Sequence, residues 1–325
     1  MNRASDLAAW PLLRSFLGLA AGLLIAALAA ACGAGQKPAS STPAPADEVL
    51  PPRWTDASES GLHAILATTD IAQGPQRFAL VLTDGNGLVS LPVVQMRTYY
   101  YREGFGSGRR ESPTETVTAR YHEFPLGTRG IYVTSLDFNE LGDWAVEADV
   151  PRPDGSVLKA AVRFSIGYRT HSLPVGTSAG ASVNRTLKDV PSIAYLTTGS
   201  HRDPGLYQIT VADALKTGKP TVVVFASPAF CTNAVCGPQV EVLSEVREEY
   251  GMRANYVHID NYENPQEIQG DLSKAVLSKH LAEWGLTSQE WTYVIGRDGN
   301  ITARFENFAP REEIEDALEA ALAEG

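Results

Sequence analysis

The stretch Thr221-Val-Val-Val-Phe-Ala-Ser-Pro-Ala-Phe-Cys231-Thr-Asn-Ala-Val-Cys236-Gly-Pro constrains this chain more than any other. Its first five residues are β-branched or aromatic with no polar alternation. Such a run describes a strand buried on both faces, and so the centre of a covered sheet. A helical pattern follows from Gln239 to Tyr250, with Val242, Leu243 and Val246 on one face. Two cysteines lie at the junction. A helix start offers unpaired N–H groups that stabilise a thiolate, so a dithiol redox site would be built here. The spacing sets a condition. Residues five apart in a regular helix are separated by roughly 8–9 Å between Cα atoms, and a disulfide needs ~7 Å or less. If the pair is bridged, Cys231 stands outside the helix, the intervening residues form a bulged turn, and Cys236 lies near the first helical turn.

The sequence around this junction alternates between strand and helix. Val211-Ala-Asp-Ala-Leu-Lys216 reads as a short helix, Ala254 to Asp260 as a strand, Lys274 to Trp284 as a helix and Trp291 to Ile295 as a strand. Arg297-Asp-Gly-Asn300 turns into Ile301-Thr-Ala-Arg-Phe305. Pro310 opens a last helix with Ile314, Ala317, Leu318 and Ala321 inward. Strand, helix, strand, helix, strand, hairpin and helix is the thioredoxin order, and residues 205–325 resemble the thioredoxin-like superfamily. Val222 to Cys231 match the strand and the approach to the first family cysteine. Cys236 to Tyr250 match the helix after the second. Four residues separate the cysteines here, where the family usually has two.

The resemblance implies thiol–disulfide exchange. Cys231 would attack as a thiolate and Cys236 would resolve the mixed disulfide, inside a collar of Ser227, Pro228, Ala229 and Phe230. Cys236-Gly237-Pro238-Gln239 gives a second register, similar to the family's Cys-Gly-Pro-Cys with glutamine in the last place, which leaves Cys236 as a lone nucleophile. Thioredoxins also carry a cis-proline before the strand that faces the dithiol. Leu286-Thr-Ser-Gln-Glu290-Trp291 has no proline and Glu290 or a neighbour takes that place, so a trans peptide and an altered surface are expected, because a cis bond without proline costs ~3 kcal/mol. A carboxylate there would raise the thiol pKa. The binding residues implied are Ser227, Pro228, Phe230, Glu290 and Trp291. Two other readings stay open. One is a non-catalytic binding module with a structural disulfide. The other is a copper(I) carrier similar to Sco proteins, using His258 or His280, although Sco cysteines are three residues apart. No zinc spacing occurs and no metal or other cofactor is expected. His258 is expected to pack at a strand end and His280 to be solvated. Asp260, Glu263, Glu267 and Asp271 are expected in a solvated loop.

The third cysteine, Cys32, has another explanation. Arg3 and Arg14 bracket a polar start, and Ser15 to Ala31 are apolar or small, which describes a secretory segment with a small-residue cleavage site. The cysteine directly after it resembles the lipidated cysteine of a bacterial lipobox, with Ala29 where leucine is usual. The run is shorter than the ~20 residues that span a bilayer. The expectation is a signal peptide over 1–31, lipidation at Cys32 and a flexible tether over 32–52. The protein is then extracytoplasmic and held to the cell membrane by lipid, where disulfides persist. Its partners would be exported or membrane-bound proteins with thiols or disulfides. A net charge of -11 argues against nucleic acid.

Residues 53–170 read as all-β. Short β-prone runs start at His63, Arg77, Thr116, Ile131, Trp144 and Leu158, separated by turn signals such as Asp84-Gly85 and Asp154-Gly155. This spacing suggests a β-sandwich. Gly130-Ile-Tyr-Val, Phe138 and Gly142-Asp-Trp-Ala-Val resemble the late strands of immunoglobulin-like modules. Residues 171–204 have little periodicity and read as a linker. The expected fold class is an all-β immunoglobulin-like sandwich followed by an α/β thioredoxin-like fold.

Overall fold

The computed structural model describes residues 55–56, 61–107, 112–125, 127 and 129–324. The expected signal peptide over 1–31, Cys32 and the expected tether over 32–52 lie outside them. In the first half, alternating runs become β1 (Thr55–Asp56), β2 (His63–Leu66), β3 (Gly74–Asp84), β4 (Gly87–Leu88), β5 (Val93–Tyr101), β6 (Glu115–Glu123), β7 (Gly130–Phe138), β8 (Gly142–Pro151) and β9 (Val157–Ile166). Among the described residues these form one sheet of order β1-β9-β8-β5-β6-β7-β3-β2, with β4 paired to β3. Two stacked sheets were expected. The hydrogen-bond path runs unbroken because β5 pairs with β8 on one side and with β6 on the other. Strand β5 is missing from the sequence reading, although its first four residues alternate exposed and buried. Its neighbour relations make it central. Strands β2 and β9 touch and Ala72 bridges Gly167, so the sheet curls round in a barrel-like way. Phe78, Phe138, Trp144 and Phe164 fill its interior, meeting largely edge to face.

The second half contains α1 (Val211–Ala214), β10 (Thr221–Phe225), α2 (Cys236–Tyr250), β11 (Asn255–Ile259), α3 (Pro265–Ile268), α4 (Lys279–Glu283), β12 (Trp291–Ile295), β13 (Ile301–Glu306) and α5 (Arg311–Ala323). The sheet order is β11-β10-β12-β13. Strand β10 runs parallel to β11 and antiparallel to β12, and β13 closes the hairpin. This is a thioredoxin-like sheet. The unalternating run in β10 is explained by two covered faces. Val222 and Val224 share a core with α2 and α5, whereas Val223 and Phe225 pack with Trp284 and Tyr293. Helix α4 is shorter than expected. Val276 is held outside it, its N–H donating to Asn264 Oδ1 at 2.9 Å and its carbonyl accepting from Glu263 N at 2.8 Å. Ser278 caps the helix instead.

The halves share a seam. Ala79, Phe124, Ile131 and Val133 of the first half belong to the same core as Val242, Phe308 and Leu318 of the second. Polar contacts clamp the seam over β13. Glu306 accepts from Thr69 N (2.5 Å), Thr69 Oγ1 (2.5 Å) and Asp70 N (2.8 Å). Arg304 pairs with Asp70 at 3.2 Å and donates to Ser172 Oγ. Arg77 reaches Glu313 at 2.8 Å and the carbonyls of Glu306 and Phe308. Residues 171–204 are irregular but held. Ser172 donates to Asp70, Leu187 N to the Tyr207 carbonyl, and Asn184 accepts from Val211 N. Among the described residues no helix is long and apolar enough to cross a membrane.

Candidate thiol site

The site forms where β10 ends. Ala226 N donates to Ile259 O at 3.2 Å, keeping the exit from β10 against β11. Pro228–Phe230 make one 3-10 turn, which Pro228 opens with its fixed φ. Cys231 is extended, Ala234 turns the chain back at φ 60°, and Cys236 is the first residue of α2. Cys231 and Cys236 form a disulfide with Cα atoms 5.9 Å apart, within the limit that the spacing argument set. The first N–H groups of a helix have no partner inside it. That of Cys236 points at Cys231 Sγ at 3.3 Å. Cys236 is fully buried, whereas Cys231 is partly exposed.

The collar rests on a carboxylate. Ser227, buried, donates to Asp260 Oδ1 at 2.8 Å. Asp260 Oδ2 accepts from Thr198 N at 2.7 Å and Thr198 Oγ1 at 2.9 Å, and Tyr262 N adds a bond at 3.1 Å. Thr198 Oγ1 also accepts from Ala229 N at 3.3 Å. Asp260 is 4 % exposed, which corrects its expected place in a solvated loop. Burial pushes its pKa up to about 6 against these hydrogen bonds. The signal was in the sequence: the aspartate directly continues the apolar run that forms β11. Phe230 sets its ring edge against Tyr262 with centroids 5.9 Å apart.

Glu290 and Trp291 are each 1 % exposed; Trp291 stacks on Tyr293 and lies under the Arg304 guanidinium, in the core that holds Phe225 and Trp284 and apart from the core of Cys236. Thr292 Oγ1 donates to Glu290 Oε1 at 3.1 Å, and Oε2 has no hydrogen-bond partner among the described residues. Burial holds the Glu290 carboxyl well above the usual carboxylate range. The residue before it was missed. Gln289 Oε1 accepts from Thr232 N (2.8 Å) and Thr232 Oγ1 (2.7 Å), and its carbonyl accepts from Asn261 Nδ2 and lies 3.7 Å from Cys236 Sγ. Asn233 and Asn307 were missed as well. Asn233 Oδ1 lies 2.7 Å from Cys231 Sγ, its Nδ2 donates to Asn307 Oδ1 at 3.1 Å, and Asn307 Nδ2 donates to Ala67 O at 3.2 Å. A Thr-Asn pair set between two cysteines was the available hint.

The histidines are engaged elsewhere. His258 is buried, as expected at a strand end. Its Nε2 faces the Ala226 carbonyl at 3.0 Å and its Nδ1 the Tyr207 hydroxyl at 2.7 Å. A carbonyl only accepts, which places the ring proton on Nε2. Burial pushes its pKa down to about 4. His280 is 4 % exposed, not solvated, and its Nδ1 meets Glu283 Oε2 at 2.6 Å. Among the described residues no group of three or more His, Cys, Asp or Glu side chains is placed to hold a metal ion.

No family model matches the chain, and no curated protein matches it. Solved structures similar to part of it include a putative thiol:disulfide interchange protein DsbE from Chlorobium tepidum, at 17% identity and a TM-score of 0.29. A thiol:disulfide interchange protein of the thioredoxin family from Chlorobium tepidum TLS is 16% identical with a TM-score of 0.28. A thio-disulfide isomerase from Thermus thermophilus is 28% identical with a TM-score of 0.25. Each match covers 35% of this chain and 86% of the other. Scores this low carry no argument. The thioredoxin-like assignment rests on the strand order β11-β10-β12-β13 and on the helix that starts at Cys236.

Proposed function

We propose that this chain is an extracytoplasmic, lipid-anchored protein that exchanges thiols and disulfides with exported or membrane-bound partners. Its working domain is the thioredoxin-like region over 205–325. The reading is carried by the N–H of Cys236, which opens α2 and meets Cys231 Sγ at 3.3 Å. An oriented N–H at a helix start favours the anion on that sulfur. Exposure supports this order: the accessible Cys231 attacks and the buried Cys236 resolves. In the reduced pair, the Cys231 thiolate attacks one sulfur of a partner disulfide, and the other partner sulfur leaves as a thiolate. Cys236, deprotonated, then attacks Cys231 Sγ and releases the second partner thiolate. Two electrons have passed to the partner and the pair is oxidised; the reverse sequence oxidises a partner dithiol.

Pro228 and Phe230 offer side chains to the partner. Ser227 and Glu290 act from beneath, by fixing the backbone of the two facing loops, and Trp291 fills the core on the Tyr293 side of the sheet. A purely structural bridge gains little here, since so short a loop yields only about 2 kcal/mol by the chain-entropy estimate. The buried position of Cys236 disfavours it as a lone nucleophile.

The first half, 53–170, is read as an immunoglobulin-like module. Letter β2, β3, β5, β6, β7, β8 and β9 from A to G. The order of the sheet becomes G-F-C-D-E-B-A, and a cut between C and D gives the two groups of that module. The lipid anchor rests on the segment before Cys32 and on Cys32 itself. The test is reduction of insulin by a dithiol reductant. Wild type is expected to catalyse it, Cys231→Ser to lose activity, and Cys236→Ser to accumulate a mixed disulfide. An inactive wild type with a reduction potential below about -300 mV would indicate a resistant structural bridge and overturn the reading.

A further inference from the structure

The acceptor that faces Cys231 is fixed from far along the chain. A carboxamide can present its oxygen or its NH2 to a neighbour, and its other contacts decide which. The Ala67 carbonyl, in the first half, can only accept. Asn307 therefore turns its Nδ2 to it, at 3.2 Å. The backbone of Asn307 is pinned by its own N–H on Glu290 O at 3.1 Å, and its φ is 64°. Its Oδ1 is left facing Asn233, which must offer Nδ2, at 3.1 Å. That leaves Asn233 Oδ1 against Cys231 Sγ at 2.7 Å. Thr232, bonded twice to Gln289, anchors the neighbouring residue of this loop.

We propose that Asn307 and Asn233 form a polarity relay through which the Ala67 carbonyl presents an acceptor, not a donor, to Cys231 Sγ, so that the first half of the chain governs how readily Cys231 ionises. The disulfide has no S–H. Once it is reduced, the Cys231 thiol donates its proton to Asn233 Oδ1 and is held protonated. A thiolate there meets the lone pairs of the same oxygen. The N–H of Cys236 pulls in the opposite direction, and ionisation of Cys231 reports the balance between the two. Asn233 and Asn307 are positioning residues for the attacking sulfur. For its functional consequence the inference rests on the proposed exchange role.

The test reduces the full chain with dithiothreitol, removes the reductant and follows iodoacetamide alkylation from pH 5 to 9. With Cys32→Ser in every protein compared, buried Cys236 leaves Cys231 as the reporter. Asn307→Gly keeps the left-handed backbone, which glycine adopts freely, and removes the amide. It should speed alkylation at pH 7 roughly 3- to 10-fold, a fall of about 0.5–1 unit in the ionisation midpoint. Asn233→Ala should do the same. Asn233→Asp, an acceptor with a charge, should slow it. The relay is overturned if Asn233→Ala accelerates while Asn307→Gly tracks wild type, because the orientation is then not set from the first half. It is also overturned if none of the three departs from wild type. Near-ultraviolet circular dichroism checks that each variant is folded. Insulin reduction run in parallel separates the two claims: an inactive wild type sinks the exchange reading but leaves the order of ionisation midpoints to be read.

Discussion

Two sets of contacts join the first half to the same short stretch, Arg304 to Phe308, and they differ in kind. The clamp is charged and buried. Asp70 and Arg304 have side chains only 2% and 12% exposed, and Glu306 is sequestered as well. The relay through Asn307 and Asn233 is neutral, and Asn233 is exposed. A buried charge cannot lose its partner cheaply, because the remaining ion stays desolvated. A neutral amide at the surface exchanges its partner for water at little cost. The clamp therefore fixes the stability of the seam, and the relay adjusts the chemistry of a sulfur without holding the fold together.

The contrast breaks first on Arg304→Ala. Asp70 would keep its bonds from Ser172 and His171 but lose its cation. Burial tends to raise the pKa of Asp70, while those bonds and Arg304 hold it below the usual range. Removing one partner of a buried pair costs about 3–5 kcal/mol, and urea unfolding of the full chain should show that loss. A loss under about 1 kcal/mol would mean that the clamp contributes no more than a surface ion pair, and the distinction between clamp and relay would fall.

Asp260 sharpens the comparison, since it places a buried charge on the thiol side of the molecule. Its folded pKa of about 6 lies above the ordinary aspartate value of 3.8. The folded state binds the extra proton between those values, so this group's stabilisation is present below pH 3.8 and is lost as pH rises through 6. His258 works the other way. Its folded pKa of about 4 lies below 6.5, so its contribution is present above 6.5 and is lost as pH falls through 4. At 1.36 kcal/mol per unit each amounts to roughly 3 kcal/mol, and the two offset each other between pH 4 and 6.5. Asp260→Asn removes one side. The variant should lose about 3 kcal/mol of stability between pH 7 and pH 4 relative to the trend of wild type, followed by urea midpoints at several pH values. Parallel pH trends for the two proteins would show that Asp260 titrates near the ordinary carboxylate range.

Much of the second half was legible in the sequence because one strand there is buried on both faces. An unbroken Val-Val-Val-Phe run admits few other placements, and the helix pattern after the second cysteine marks the junction. Given a bridged pair, the bulged turn followed from the cysteine spacing. Strand β5 escaped because Gln95 and Arg97 break its apolar run. Arg97 pairs with Asp149 and Glu147 on β8, partners distant in sequence. The same reason hid Asn233, Asn307 and Asp260 as site residues. A polar side chain declares its role through partners, and Ala67, Asn307 and Asn233 are brought together only by the fold. Glu290 stands out in the sequence, but the upward shift of its carboxyl pKa depends on burial, which no local pattern encodes.

The smallest effect is the most discriminating. Asn233→Ala removes two contacts from an exposed side chain, and its change in stability should fall within about 0.5 kcal/mol, as for surface substitutions elsewhere. Combined with Arg304→Ala it should add without interaction, since separate sites usually add to within roughly 0.3–0.5 kcal/mol. Asn307 and Arg304 lie near each other on one stretch of chain, so additivity is not trivial. It holds only if loss of the clamp leaves the turn after β13 where Asn307 can still reach Ala67 O. A coupling above about 0.5 kcal/mol, measured by a double-mutant cycle in urea, would mean that clamp and relay are one structure. The ionisation of Cys231 would then depend on the charges at Asp70 and Glu306, and Arg304→Ala should itself move the alkylation midpoint.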